Sequence, residues 1–270
     1  MNLVGIFFVA IIGLIIGSFL TSLTYRLPRN ISIASGRSLC PKCGKKISWR
    51  DNIPVFSYII LSGKCRNCGK KISPRYPLIE LITALLFILI YFYSTIYCSN
   101  NLNGVNFCHW SSWLGFWSLP YLFLLTSILV SIFIIDFEHQ FIPDELTYLL
   151  TFIGVSTLVV SGGSSFFLNI LSGFALSTIL LGLHFVTKGR GMGLGDVKLA
   201  IPLGIILGWP NIISFLFSAF MVGGLVATVL LILKKARLGT KIAFGPFMVV
   251  SFFIVYFFDN FLSKYFIPFS

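Results

Sequence analysis

The chain is predicted to be an all-α polytopic membrane protein of about eight transmembrane helices, with a small cytoplasmic loop domain built on four cysteines. Three observations carry that expectation. Hydrophobic residues make up 57% of the 270 positions and charged ones 10%, with a mean hydropathy of +0.94. An ordinary globular domain is roughly 45–50% apolar. Apolar runs approaching the ~20 residues of a spanning helix recur along the chain. The one long polar interval contains two Cys-x-x-Cys pairs, Cys40/Cys43 and Cys65/Cys68.

In chain order, the first apolar run is Leu3–Leu23. Met1-Asn2-Leu3 lacks a basic leader region and no small-residue cleavage site follows, so this run is expected to remain as a helix. The basic interval 24–76 comes next. It is followed by Pro77–Tyr97, Leu114–Ile135, Leu146–Ser161 and Phe166–Thr187. Val197–Trp209 is short for a full span, and Ile212–Leu233 and Ile242–Phe261 complete the set. This divides the chain into a first transmembrane helix (1–23), a tetracysteine domain (24–76) and a transmembrane core (77–270). Gly13/Gly17 and Gly204/Gly208 have the spacing that lets helices approach closely. No internal repeat is apparent.

The net charge of +12 reads as topology rather than as nucleic-acid binding. With the N-terminus outside, the intervals 24–76, 136–145, 188–196 and 234–241 are cytoplasmic and hold 18 of the 20 Lys+Arg residues. That matches the excess of basic residues on cytoplasmic loops. The opposite side carries Trp110, Trp113 and Trp117, suited to a membrane interface. Cys98 and Cys108 also fall there, and both a disulfide and a buried thiol stand open for them.

The paired Cys-x-x-Cys units, 21 residues apart, suit a structural zinc ion held by four thiolates with no open position. A redox role is the alternative, weakened by the absence of a βαβ context. Two of the 8 acids are conspicuous. Asp136 closes the apolar run Ser131–Ile135, and Asp196 follows Gly191-Met192-Gly193-Leu194-Gly195. Carboxyls at membrane depth are functional candidates, and a pair can share a proton and activate water. Gly193 and Gly195 are expected to give an unusual backbone path that aims Asp196. The helix ends favour Asp136 as the acid and Asp196 as the base, although a coupled pair need not have one fixed assignment. Asp144 reads as a helix N-cap. Glu80 reads either as the partner of a loop arginine or as part of a second site, and His184 as a core histidine. The competing function is a carboxylate-based ion or metal transporter with a zinc-stabilised loop, although both carboxyls lie at one membrane face rather than near the midplane.

Taken in order, these motifs resemble those of the type IV prepilin leader peptidases. Gly17-Ser18-Phe19-Leu20 leading to Arg26-Leu27-Pro28 is similar to the family's opening signature. The segment Cys40–Cys68 resembles its cysteine domain, with Asp51-Asn52-Ile53-Pro54 enclosed and Ile72-Ser73-Pro74-Arg75-Tyr76-Pro77 after it. Asp136 resembles its first catalytic aspartate, and Gly193-Leu194-Gly195-Asp196 its GxGD motif; Phe244-Gly245-Pro246 also matches. Thr21 and Thr24 depart from the usual opening signature. The resemblance implies an aspartyl endopeptidase of the bacterial inner membrane with its active site at the cytoplasmic face. Its substrates would be prepilins and pilin-like secretion subunits, cut after a glycine to remove a short basic leader. The tetracysteine domain implies a bifunctional form that also methylates the new N-terminus with S-adenosylmethionine.

Overall fold

Glycines set the helix packing in this chain. The computed structural model describes residues 3–32, 38–40, 42–97, 117–161, 166–189, 191–235 and 242–266. The helices defined there are α1 (Leu3–Arg26), α2 (Phe56–Ile60), α3 (Arg75–Phe92), α4 (Ser118–His139), α5 (Asp144–Ser161), α6 (Phe166–Val186), α7 (Leu194–Leu207), α8 (Asn211–Ile232) and α9 (Gly245–Phe266). Among the described residues the only β pairings are two isolated bridges. The fold is all-α, and α1, α3, α4, α6 and α8 belong to helices long and apolar enough to cross a membrane. The protein is a multi-pass membrane protein.

Among the described residues two compact units are formed, one drawn from 3–97 with 119–131 and the other from 117–118 with 132–266. In the first, α1 and α3 run antiparallel at close range. A Cβ on Gly13 would come 2.6 Å from the Ala84 Cα, and one on Gly17 would come 2.7 Å from the Glu80 Cα. Those are backbone atoms that cannot move aside, so the two glycines are what permit the contact. The first half of α4 joins this unit through Phe123, stacked on Phe87 with ring centroids 4.2 Å apart.

The interval between α1 and α3 contains an internal repeat that the sequence reading missed. Cys40-Pro41-Lys42-Cys43-Gly44-Lys45-Lys46 and Cys65-Arg66-Asn67-Cys68-Gly69-Lys70-Lys71 build the same turn twice. In each, the glycine N–H donates to the first cysteine's carbonyl, at 2.8 Å in one and 2.9 Å in the other. Gly44 and Gly69 adopt φ of +68° and +66°, a left-handed backbone that side chains resist. The bridges Leu39–Lys46 and Lys64–Lys71 close the two turns.

In the second unit α7 is the central element. It has 14 residues, about 21 Å at 1.5 Å per residue, short of a hydrocarbon core of roughly 30 Å. Its surface is protein-covered instead of lipid-facing: Val197, Leu199, Ala200 and Pro202 to Leu207 are all buried. Helix α6 runs antiparallel to it, with a Gly204 Cβ position only 2.7 Å from the Gly173 Cα and Ser177 Oγ donating to the Val197 carbonyl at 3.0 Å. Gly204 thus fits the expected packing role. Gly208 also admits a close neighbour, since a Cβ there would come 2.5 Å from Asn169 Oδ1 of α6, and it ends α7 with a φ of +68°.

Candidate active site and metal centre

Asp136 lies in the last turn of α4. That helix stops at Gln140, whose left-handed backbone (φ 53°) lets its N–H donate to the Asp136 carbonyl at 2.9 Å. Asp196 lies in the first turn of α7 and accepts the Gly193 N–H on Oδ2 at 3.1 Å. Both side chains are nearly enclosed, Asp136 at 4% exposure and Asp196 at 7%. They line one cavity of about 550 Å³, together with Gln140, Gly193, Phe244 and Phe247, and are close enough for their charges to interact. Asp136 Oδ2 is buried without a hydrogen-bond partner among the described residues. Buried polar atoms are nearly always paired, so an orphan beside a second carboxyl marks a place for a ligand atom.

The glycine-rich stretch works differently from the expectation. Gly193 has an ordinary extended backbone (φ −79°, ψ 151°), and the left-handed residues are Lys188 (φ 50°) and Gly189 (φ 72°), just upstream. What Gly193 supplies is its N–H to Asp196 and the absence of a Cβ, which would come 3.2 Å from Asp196 Oδ2. His184 has a role beyond core packing. Its Nδ1 is 2.7 Å from the Met192 carbonyl, and since a carbonyl can only accept, Nδ1 carries the proton and pins the stretch.

Gly245, the first residue of α9, is a site element that reasoning from residue types passed over. Its backbone N–H faces both aspartates, and a Cβ there would come 2.5 Å from Asp136 Oδ2. A helix N-terminus presents unpaired N–H groups and a partial positive charge, so α9 offers a donor to the pair. The available signal was Phe244-Gly245-Pro246. Asp144 is the first helical residue of α5 and not a capping residue outside it; its carboxylate pairs with Lys198 of α7 at 2.9 Å, both half-exposed.

The four thiols of Cys40, Cys43, Cys65 and Cys68 converge, with every Sγ within 4.8 Å of the others. Four sulfurs at about 2.3 Å from a zinc ion lie about 3.8 Å apart, so a small contraction closes the cluster on a metal. Proton competition is visible among them. Burial pushes Cys40 up, but backbone N–H groups of Lys42 and Cys43 and the neighbouring thiols outweigh it and hold it at about 7. The Lys70 N–H pulls Cys68 down, yet desolvation and the other three thiols push it up to about 11. A cation would replace the protons these sulfurs contest. Arg66 binds Asp51 beside the second turn, with Nη2 2.7 Å from Oδ1, and holds that carboxyl below the usual range.

Glu80 has a backbone partner among the described residues, where a loop arginine was one expectation. It is buried in α3 and accepts the Val55 backbone N–H on Oε2 at 2.7 Å, tying the tetracysteine interval to the helix. Cys98, Cys108, Trp110 and Trp113 lie outside the described residues.

Comparison with known proteins covers most of this architecture. Residues 11–94 match the Bacterial Peptidase A24 N-terminal domain, and residues 123–228 match the Type IV leader peptidase family. The chain is 32% identical to a prepilin leader peptidase/N-methyltransferase of Vibrio cholerae, across 95% of this chain and 98% of that protein. It is 33% identical to one of Neisseria gonorrhoeae, across 92% and 88%. A third, from Pseudomonas aeruginosa, is 29% identical across 96% and 92%. No solved structure matches.

Proposed function

The chain belongs to the type IV leader peptidase family, and we propose from that membership that it is a membrane aspartyl endopeptidase acting through Asp136 and Asp196. The observation that carries the residue assignment is the shared cavity, with both carboxyls buried and Asp136 Oδ2 lacking a partner. Its substrates are prepilins and pilin-like secretion subunits, whose short basic leader is removed. The chain sits in the bacterial inner membrane with eight spans, the N-terminus outside and the site at the cytoplasmic face, a topology supported by the placement of its basic residues. Cleavage at that face lets the apolar part of the substrate stay in lipid.

Hydrolysis needs one ionised and one protonated carboxyl. Asp196, at the positive end of α7, takes a proton from water, and the oxygen attacks the scissile carbonyl carbon. Asp136, at the negative end of α4, donates its proton to the carbonyl oxygen as the tetrahedral intermediate forms. Collapse of that intermediate expels the amine, which takes the proton held by Asp196, and returns Asp136 to its acid form. The Gly245 N–H stabilises negative charge on the pair between steps. Both carboxyls lie at helix ends, which favours hydrolysis at a membrane face over transport through the midplane.

Cys40, Cys43, Cys65 and Cys68 hold a structural zinc ion that ties the two turns together and takes no part in the chemistry. Segment 24–76 is the methyltransferase part, drawing on S-adenosylmethionine, and 77–270 is the peptidase core. A second cavity of about 610 Å³ adjoins the cysteines, lined by Tyr58, Tyr76 and Lys42, Lys64, Lys70 and Lys71. Cys40 and Cys65 line it as well, and it is the cavity of this segment that a methyl donor could occupy. The test of the peptidase reading is cleavage of a prepilin-like substrate by the reconstituted chain, with Asp136→Asn and Asp196→Asn as controls. Cleavage after the leader glycine by the wild type alone is expected, and equal cleavage by either variant overturns the assignment.

A further inference from the structure

Between α1 and α3 the interval is polar and basic, and its exposed apolar side chains, Ile31 and Leu39 apart, gather in one stretch. Ile53, Phe56, Ile59 and Ile60 all point outward, Phe56 at 64% and Ile60 at 72% exposure. Trp49 is exposed on the same short stretch, with the Arg50 guanidinium 5.3 Å from its ring. Four large apolar side chains so close in sequence are unfavourable in water.

Their depth is readable from the helix beside them. The Val55 N–H reaches Glu80, which is about 7.5 Å along α3 from its first residue, Arg75. Around that level α3 already presents Leu78 and Leu81 outward. Helix α1 does the same, because Gly17 packs on Glu80 and Phe19 beside it is exposed. The apolar stretch is therefore held alongside helix surface that faces lipid.

We propose that residues 53–60 form a membrane-surface anchor, with Ile53, Phe56, Ile59 and Ile60 inserted at the headgroup and upper acyl-chain level of the adjoining leaflet. The stretch is tied to α3 at the level where α1 and α3 present Phe19, Leu78 and Leu81 outward, within the same unit, so one leaflet can cover all of them. Trp49 suits the interfacial layer, and the exposed Arg50, Lys64, Lys70 and Lys71 complement anionic headgroups. The anchor would hold the thiol cluster at a fixed height above the bilayer. It stands independently of the peptidase reading and of which leaflet is involved.

The test uses the unmodified chain in vesicles of phosphatidylethanolamine and phosphatidylglycerol, with a trace of phosphatidylglycerol carrying a diazirine in its acyl chain. After illumination and digestion, the peptide spanning 53–60 is expected to carry lipid adducts at a yield comparable with that of α3. Adducts on α1 and α3 with none on 53–60 overturn the proposal. So does protection of 53–60 from both the lipid probe and a water-borne label, which would point to a protein partner instead. In the Ile59→Ser, Ile60→Ser double variant, adducts on this peptide should fall at least about tenfold while those on α3 persist, since even partial insertion of two aliphatic side chains is worth that much. An unchanged yield in that variant also overturns it.

Discussion

Two buried carboxyls in this protein have opposite surroundings. Glu80, in the first unit, is 7% exposed and accepts the Val55 N–H at 2.7 Å. Asp136, in the second, is 4% exposed, and its Oδ2 has no hydrogen-bond partner among the described residues. Leaving a buried acceptor atom unpaired costs about 1–3 kcal/mol, and Asp136 Oδ2 bears that cost beside the cavity even though the Gly245 N–H faces the pair. Glu80 has its protein partner and holds a loop in place. Asp136 Oδ2 is left open toward a cavity and a second carboxyl, as the proposed reacting role requires.

The sharpest way to break this comparison is to make the same isosteric change at both. Asp136→Asn and Asp196→Asn should each lower leader cleavage by about 1,000-fold or more, since the acid–base role is removed. Glu80→Gln should leave turnover near wild type, because the amide oxygen can still accept from Val55. Peptide cleavage measured in one reconstituted preparation checks all three, and equal losses at positions 80 and 136 would erase the distinction.

A smaller effect is expected from crowding the pair. In Gly245→Ala the new Cβ meets Asp136 Oδ2 at 2.5 Å and Ile142 at 3.2 Å. A shift of about 1 Å in a reacting group can cost about 100-fold in rate, so kcat should fall by that order with little change in KM. A full loss of membrane insertion would show that Gly245 is structural instead.

In the first unit the corresponding changes should act on stability and leave the chemistry alone. Cys65→Ser should reduce bound zinc from about one per chain to nearly none and expose 38–75 to limited proteolysis, as elemental analysis and mapped digestion would show. Glu80→Ala should cost about 1–3 kcal/mol by leaving the Val55 N–H unpaired and open the same interval. The least effect belongs to Asp144→Asn. Its pair with Lys198 is half-exposed on both sides, so the change should cost about 1 kcal/mol or less and spare turnover.

Much of this was legible because the bilayer imposes a length on apolar runs. The helix positions and the two aspartates follow from that constraint together with the scarcity of acids. The thiol cluster was legible because metal ligation fixes spacing. Hidden features were those expressed in backbone geometry or in long-range contact. Gly245 acts through an N–H and a missing Cβ, and a glycine in a sequence does not say which neighbour approaches it. The Glu80–Val55 bond joins residues 25 apart. Helix α2 is five residues long, below any periodicity test. The doubled Cys-x-x-Cys-Gly-Lys-Lys turn was in plain view and was passed over because the repeated unit is only seven residues long and occurs only twice.

The central claim is that Asp136 and Asp196 form one catalytic unit, and a double-variant cycle tests it most directly. Single-turnover cleavage of a prepilin-like peptide is measured for the wild type, each Asn variant and the Asp136→Asn, Asp196→Asn pair. Residues that act together are strongly non-additive, so the double variant should be no slower than the slower single. Losses that multiply, or a single variant that cleaves at the wild-type rate, would contradict the account.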